Sequence, residues 1–510
     1  MSNRPAIAPR SHWSRWLLIL LLCFAATRLY HLMTLPLFLD EASHLTRAQW
    51  VWEGKPLYLL ETGKALAPYL AAALWPFVGA PFLGRVVVVL LGLIGLAVAY
   101  AVGRDLHSPR VGWLTALLWI ATPQLFFFER MALVDTTMSA LAMFSVWTAI
   151  RMMRDPRWWW AALCGLGLML TVLAKLTGLT YLPIPILAVF IGRVPWRTRF
   201  RQAVLALVVF AILAAPMLWY LRSIDADPTG QSSGLTSTDT SSLSTRIQRN
   251  LPTMIEAERA YFGDFMLIVM VVALVAAVVR FPFRSGLLIA QIVLPVGVIA
   301  ATAQALWLRY LSPAAPFLLL ITALGLVELG QGLARVLRRR SLWIALPAAV
   351  AMIWLITVSA PFIATAYRDP AALPLPNGDR TEYITWIPSG YGIREAANYL
   401  NRRITEPITM IGVAVNCNSA RLYLRADSPV TLICPDLDWG GGNPLVVADI
   451  KARIAADGAV WVLTEDKNPP TVDIRQFDGR EEIAAFSRML GRNTVRIFRL
   501  TATTIPAQED

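Results

Sequence analysis

Apolar runs of about 18–22 residues recur through the first two thirds of the chain, each long enough to cross a hydrocarbon core of ~30 Å. Only 15% of the 510 residues are charged and 56% are hydrophobic, against about 25% and 45–50% in soluble domains. That combination excludes a soluble globular enzyme and predicts a polytopic α-helical membrane protein.

The formal net charge of +13 would suggest nucleic acid as a partner if it were spread evenly, and it is not. Residues 363–510 hold 16 Lys/Arg against 18 Asp/Glu, a net of −2, which leaves 30 basic and 15 acidic residues in the first 362. Much of that excess sits in short loops: Arg4/Arg10/Arg15, Arg104/Arg110, Arg151/Arg154/Arg157, Arg193/Arg197/Arg199/Arg201, Arg280/Arg284 and Arg335/Arg338/Arg339/Arg340. These clusters fall on every second loop, the pattern by which basic residues hold loops in the cytoplasm. The charge therefore records topology, and a nucleic-acid partner is not expected. About eleven transmembrane helices follow, near 16–38, 83–103, 111–128, 134–150, 158–174, 178–192, 202–221, 264–280, 286–303, 310–330 and 342–362. The N-terminus is expected in the cytoplasm and the C-terminal part outside, in a multi-pass protein of the cell membrane. The first span is expected to stay uncleaved, because it is long and ends in Arg28, Tyr30 and His31. Trp158, Trp159 and Trp160 read as an aromatic belt. The domain division is 1–362, a transmembrane part with an exterior loop at 39–82, and 363–510, an exterior domain.

The polar chemistry gathers on the exterior segments. The 39–82 loop opens Leu39-Asp40-Glu41-Ala42-Ser43-His44. Two adjacent carboxylates at a membrane surface are costly unless they are solvated or used, or unless they cap the positive end of a helix. Both readings stand for Asp40 and Glu41. Amphipathic pieces at 45–52 and 66–77, broken by Pro56, Pro68 and Pro76, suit segments lying along the surface. Between them lies Glu61-Thr62-Gly63-Lys64. Asp135 stands at the head of the fourth span, Lys175 in the tight turn Lys175-Leu176-Thr177-Gly178, and Arg309-Tyr310 precede Pro313 and Pro316 at the tenth. Each of these charges alone could be a snorkelling or structural one. Together they map to one face of the membrane, and acids beside bases there suit an anionic, lipid-linked substrate. A Lys or Arg would hold phosphate, and a carboxylate would serve as general base.

This set, over roughly residues 15–320, resembles the GT-C superfamily of polyprenol-dependent glycosyltransferases, in the bacterial branch related to protein O-mannosyltransferases and lipid A aminoarabinose transferases. The resemblance rests on Asp40-Glu41, Glu61-Thr62-Gly63-Lys64, Asp135, the Lys175 to Gly178 turn, and Arg309-Tyr310 with its prolines. Ala65 and Leu66 follow Lys64 where the family commonly has two prolines, and Leu176 stands where glycine is usual. No Trp-Trp-Asp-Tyr-Gly sequence is present, which disfavours an oligosaccharyltransferase catalytic subunit. The resemblance implies inverting transfer from a polyprenyl-phosphate sugar to a lipid, glycan or protein acceptor, in protein glycosylation or envelope glycan modification. Asp40 is then the expected base, with Glu41 and Asp135 orienting acceptor or sugar. Glu61, Lys64, Lys175, Arg309 and Tyr310 are expected to bind substrate, Lys64 and Arg309 stabilising the departing phosphate. Hard oxygen ligands at Asp40 and Glu61 would suit Mg²⁺ or Mn²⁺, and a divalent cation stays open at this point. The exterior loop at about 222–263, Ser/Thr-rich over 227–245, suits either a lid over the donor entrance or an inert flexible segment, and Tyr261-Phe262-Gly263-Asp264 at its end is expected over the site.

The competing reading is a multi-pass transporter or flippase of a lipid-linked or anionic substrate. Transporters place charges near the bilayer midplane, often in repeated halves; here no repeat is seen and the charges lie at one surface. From about residue 381 the pattern turns to alternating helices and strands: helix 392–404, strand 408–415, strand 430–433, helix 446–456, strand 459–464 and strand 494–500. A small α/β domain is expected, accessory to acceptor binding. Gly440-Gly441-Gly442 lacks the spacing of a phosphate loop. Cys417 and Cys434 both lie outside, where a disulfide is permitted but not required.

Overall fold

The computed structural model describes residues 13–74, 80–225, 242–339, 341–414, 416–435, 444–466, 472–487 and 493–502. The Ser/Thr-rich stretch from 226 to 241 and Gly440-Gly441-Gly442 lie outside these residues. Six helices among the described residues are long and apolar enough to cross a membrane: Pro81–Leu106, Trp196–Ser223, Leu243–Arg280, Pro282–Thr302, Ala315–Val336 and Leu342–Arg368. The other expected spans fall on helices that are shorter, broken or more polar, so the expected eleven is not reached by this measure. Trp13–Leu29 ends nine residues before the expected close of the first span. Val134–Met152 opens with Asp-Thr-Thr and is buried on nearly every side. Residues 176–191 form three short helical pieces broken around prolines.

Close packing replaces the hydrophobic drive that water supplies elsewhere, and small residues permit it. Gly325 brings Ala315–Val336 so near to Leu243–Arg280 that a Cβ would collide with the carbonyl of Ala273. Inside the bundle Arg28 and Glu129 form a buried ion pair. Arg28 donates from Nε to Glu129 at 3.0 Å, and the Trp119 indole donates to the other oxygen of the same carboxylate at 2.5 Å.

Leu243–Arg280 departs most from expectation. Its polar first half, with Arg246, Arg249, Glu256, Glu258 and Arg259, reads as exterior loop; it instead forms a helix of its own, which meets the apolar half at a kink at Gly263. The only non-helical residue within it is Gly263, whose φ of 73° lies where a side chain is strained. The exterior loop after the first span breaks into four short helices, Leu39–Arg47, Gln49–Trp52, Tyr58–Glu61 and Leu66–Ala72, separated by turns at Gly54 and Gly63, both with positive φ.

Beyond Arg368 the chain forms a five-stranded sheet, β1 Ile408–Gly412, β2 Val430–Ile433, β3 Ala459–Glu465, β4 Gly479–Ser487 and β5 Thr494–Thr501, in the order β2-β1-β3-β5-β4. β1 pairs parallel with both β2 and β3, while β5 pairs antiparallel with β3 and β4. Helices Ile393–Arg403, Cys417–Tyr423 and Pro444–Asp457 complete it. β4 escapes sequence reading because Arg480, Glu481 and Glu482 crowd an exposed edge strand, where charge discourages pairing with other chains. Cys417 and Cys434 form a disulfide, with Cα atoms 5.7 Å apart; Cys23 and Cys164 are free.

Candidate active site

The acidic pair divides between two jobs. Phe38 is the N-cap of Leu39–Arg47, and its amide donates to Glu41 Oε2 at 3.0 Å. Glu41 is fully buried and also accepts from Arg85 Nε at 2.8 Å, from Arg85 Nη2 at 2.7 Å and from the Ala132 amide at 2.6 Å. Every acceptor position of Glu41 is thus engaged. Arg85 in turn donates to the carbonyls of Leu32, Leu35 and Pro36 at 2.9, 3.0 and 2.9 Å. Glu41 therefore fixes the helix that carries its neighbour, so the capping reading holds for one of the two acids.

Asp40 lies one residue earlier on that helix, and its side chain is 27% exposed. Its Oδ2 accepts from Arg309 Nη2 at 2.7 Å, and Lys64 Nζ stands 3.8 Å away. Arg309 is itself buried; its Nη1 donates to Glu382 Oε1 at 2.7 Å and to the Tyr383 hydroxyl at 3.3 Å. The guanidinium also lies over the Phe38 ring, 5.2 Å from its centre. One arginine therefore joins the first exterior loop to the segment leading into the sheet domain.

Lys175 forms a second pair, donating from Nζ to Asp135 Oδ1 at 2.7 Å while standing 3.5 Å above the Tyr310 ring. The Leu176 amide donates to the Gly63 carbonyl at 3.0 Å, which ties the Lys175 turn to the Lys64 turn. Tyr310 follows Arg309 directly, so the two pairs are neighbours. Glu61 has a different partner, the Tyr220 hydroxyl, which donates to it at 3.1 Å. Tyr261 is buried and donates to Asp379, while Asp264 pairs with the exposed Arg259. That stretch thus reaches Asp379, three residues before Glu382.

Burial works against the charge on Asp40, but the guanidinium of Arg309, and after it Lys64, hold its carboxyl well below the usual carboxylate range. Asp40 is therefore ionised at any physiological pH. Burial pushes Glu382 up to about 8 despite Arg309, so of the two acids sharing that arginine the part-exposed Asp40 keeps the charge. Burial likewise raises Asp379 to about 7, opposed by the Tyr261 hydroxyl and by Arg309. His44, one turn beyond Asp40, is lowered to about 3 by burial and by Lys64, and is neutral.

Asp40 and Glu61, the candidate cation ligands, have separate partners, and Asp40 is flanked by two cations. Among the described residues no group of three or more His, Cys, Asp or Glu could hold a metal ion.

Sequence reading found the polar residues of both pairs but missed Glu382, Tyr383 and Arg85. Arg85 carried a signal, being a charge at the head of an apolar run. Glu382 and Tyr383 carried none, because their partner lies 73 residues away.

Residues 66–220 match the family model described as dolichyl-phosphate-mannose-protein mannosyltransferase. That segment holds Asp135 and Lys175 and ends short of Arg309. No curated protein sequence matches the chain. Among solved structures, ArnT from Cupriavidus metallidurans bound to undecaprenyl phosphate superposes with a TM-score of 0.62 at 14% identity, covering 95% of this chain and 98% of that one. Arabinofuranosyltransferase AftD from Mycobacteria gives 0.50 at 14% identity, over 96% of this chain and 40% of that one. The Archaeoglobus fulgidus oligosaccharyltransferase gives 0.50 at 10% identity, over 88% and 67%. The chain thus resembles ArnT in fold over nearly its whole length, with six helices long and apolar enough to cross a membrane, and its 66–220 segment matches the mannosyltransferase family.

Proposed function

We propose that the protein is an inverting glycosyltransferase that moves a sugar from a polyprenyl-phosphate donor to a hydroxyl acceptor at the outer face of the membrane. The observation that carries this reading is Asp40, a part-exposed carboxylate held between Arg309 and Lys64 at the end of a rigidly capped helix. Asp40 takes the proton of the acceptor hydroxyl as its oxygen attacks the anomeric carbon from the side opposite the phosphate. The bond from that carbon to the phosphate oxygen breaks, and polyprenyl phosphate leaves with the electron pair. Its growing negative charge falls to Lys64 and Arg309, with Lys175 the further cation of the set. As phosphate draws the Arg309 fork toward itself, Asp40 loses its strongest counter-charge and becomes a better base when the donor is in place. Glu41 serves by holding the helix, and Asp135 by holding Lys175 over Tyr310.

The undecaprenyl phosphate bound to ArnT supports a lipid-phosphate donor. The alternating basic loops support an N-terminus in the cytoplasm and the sheet domain outside. The division at residue 362 is part of the same proposal. The test is sugar release from a panel of polyprenyl-phosphate sugars by the purified protein and by Asp40→Asn. Release by the native protein and loss in the variant are expected; equal release would remove Asp40 from its role. No release from any donor would return the transporter reading.

A further inference from the structure

We infer that the sheet domain is a working part of the site, because it clamps the backbone from which Asp40 is presented, with Tyr423 as the positioning residue. The inference rests on the proposed role of Asp40 for its catalytic consequence, though not for its geometry.

Leu37 stands three residues before Asp40 and is completely buried. Its amide donates to the Tyr423 hydroxyl at 2.7 Å. Its carbonyl faces the Asn416 amide and the Ser419 hydroxyl, each at 3.4 Å. Tyr423, Asn416 and Ser419 all belong to the Cys417–Tyr423 helix of the exterior domain or the residue just before it. Gly390 closes the same spot with a φ of 79°, and a Cβ there would collide with the Leu37 carbonyl. Arg394 of the same domain donates to the Thr34 carbonyl at 2.9 Å. From the other side, Arg85 of the membrane part holds the carbonyls of Leu32, Leu35 and Pro36. The segment before the catalytic helix is therefore gripped from both bodies, and neither grip alone sets its path.

The clamp is anchored in turn. The disulfide joins Cys417, the first residue of the clamping helix, to Cys434, which directly follows β2. Asn401 of the Ile393–Arg403 helix donates to the Tyr423 carbonyl at 2.9 Å. A line of covalent and hydrogen bonds thus runs from the sheet through Cys434, Cys417 and Tyr423 to Leu37 and Asp40. The Leu37 amide accounts for the hydroxyl: a phenylalanine there would fill the same space and leave a buried donor without its acceptor.

Hydrogen exchange tests this on the full-length protein in detergent, comparing native protein with Tyr423→Phe. The amides of residues 37–42 should exchange about tenfold faster in the variant, while β3 amides keep their protection. Sugar transfer should then lose kcat several-fold with donor KM changed by less than about twofold, since Lys64 and Lys175 sit on other turns. Unchanged protection at 37–42 would overturn the inference. Should Tyr423→Phe also strip β3 of protection, Ser419→Ala, which removes the weaker contact to the Leu37 carbonyl together with the Ser419 bond to Asn416, decides by the same criterion. Faster exchange at 37–42 in a protein that transfers no sugar even in its native form would uphold the clamp and overturn the transfer reading.

Discussion

Adjacent carboxylates with opposite consequences are the sharpest expectation from this geometry, and Glu41→Gln is the informative perturbation. Glu41 Oε1 accepts from Arg85 Nε and the Ala132 amide, and Oε2 from Arg85 Nη2 and the Phe38 amide. Glutamine keeps one oxygen and turns an NH₂ toward two donors, so two of the four bonds are lost and replaced by donor-to-donor contacts. The substitution also strips the fully buried Arg85 of its counter-charge. Removing one partner of a buried ion pair costs about 3–5 kcal/mol. Asp40→Asn changes a part-exposed acid, keeps a side-chain oxygen that can still accept from Arg309, and leaves that guanidinium its bonds to Glu382 and Tyr383, so it should cost less than Glu41→Gln. Denaturant unfolding in detergent micelles, followed by far-UV circular dichroism, measures both. A Glu41→Gln variant within about 1 kcal/mol of the native protein would refute the reasoning, because no relaxed arrangement satisfies Arg85 that cheaply.

Further outcomes follow from the same set. Lys64→Ala should raise donor KM about tenfold or more while leaving the fold intact, as the loss of one charge-assisted phosphate contact implies; an unchanged KM would remove it from the phosphate site. Glu382 and Asp379, raised to about 8 and about 7 by burial, are neutral at lower pH and gain charge as the pH rises through those values. That charge competes with phosphate for Arg309, so donor KM should climb above about pH 8, and Glu382→Gln should flatten the alkaline limb of a KM profile. An identical profile in that variant would assign the limb elsewhere. Topology is checked with an impermeant thiol reagent on cells in a Cys23→Ser background. Asp427→Cys should be labelled from outside and Arg339→Cys should not; the reverse pattern would invert the proposed orientation.

Membrane character was legible because apolar length and basic-loop alternation are local properties of the chain. The small sheet domain was legible through β1, β2, β3 and β5, which are rich in Val, Ile, Leu and Thr, and not through β4, whose charges serve an exposed edge. Helix boundaries failed where polar sequence is itself helical, as in the part of Leu243–Arg280 before the Gly263 kink. At the site, Asp40, Lys64, Asp135, Lys175, Arg309 and Tyr310 come together as the one-sided map implied, whereas Glu61 pairs with Tyr220 instead. The division of labour between Asp40 and Glu41 could not be read, because which acid turns inward depends on Arg85 and Ala132, each more than 40 residues away. The same distance hid Glu382 and the Tyr423 contact.

Transfer by Asp40→Asn is the most direct measurement of the central claim. Single-turnover release of labelled sugar from polyprenyl phosphate isolates the chemical step from product departure. A general base contributes about 10²–10⁴-fold, so the variant should fall by at least that lower bound while still binding the donor lipid, Arg309 and Lys64 being intact. A variant that releases sugar at the native rate would contradict the claim that Asp40 carries the proton.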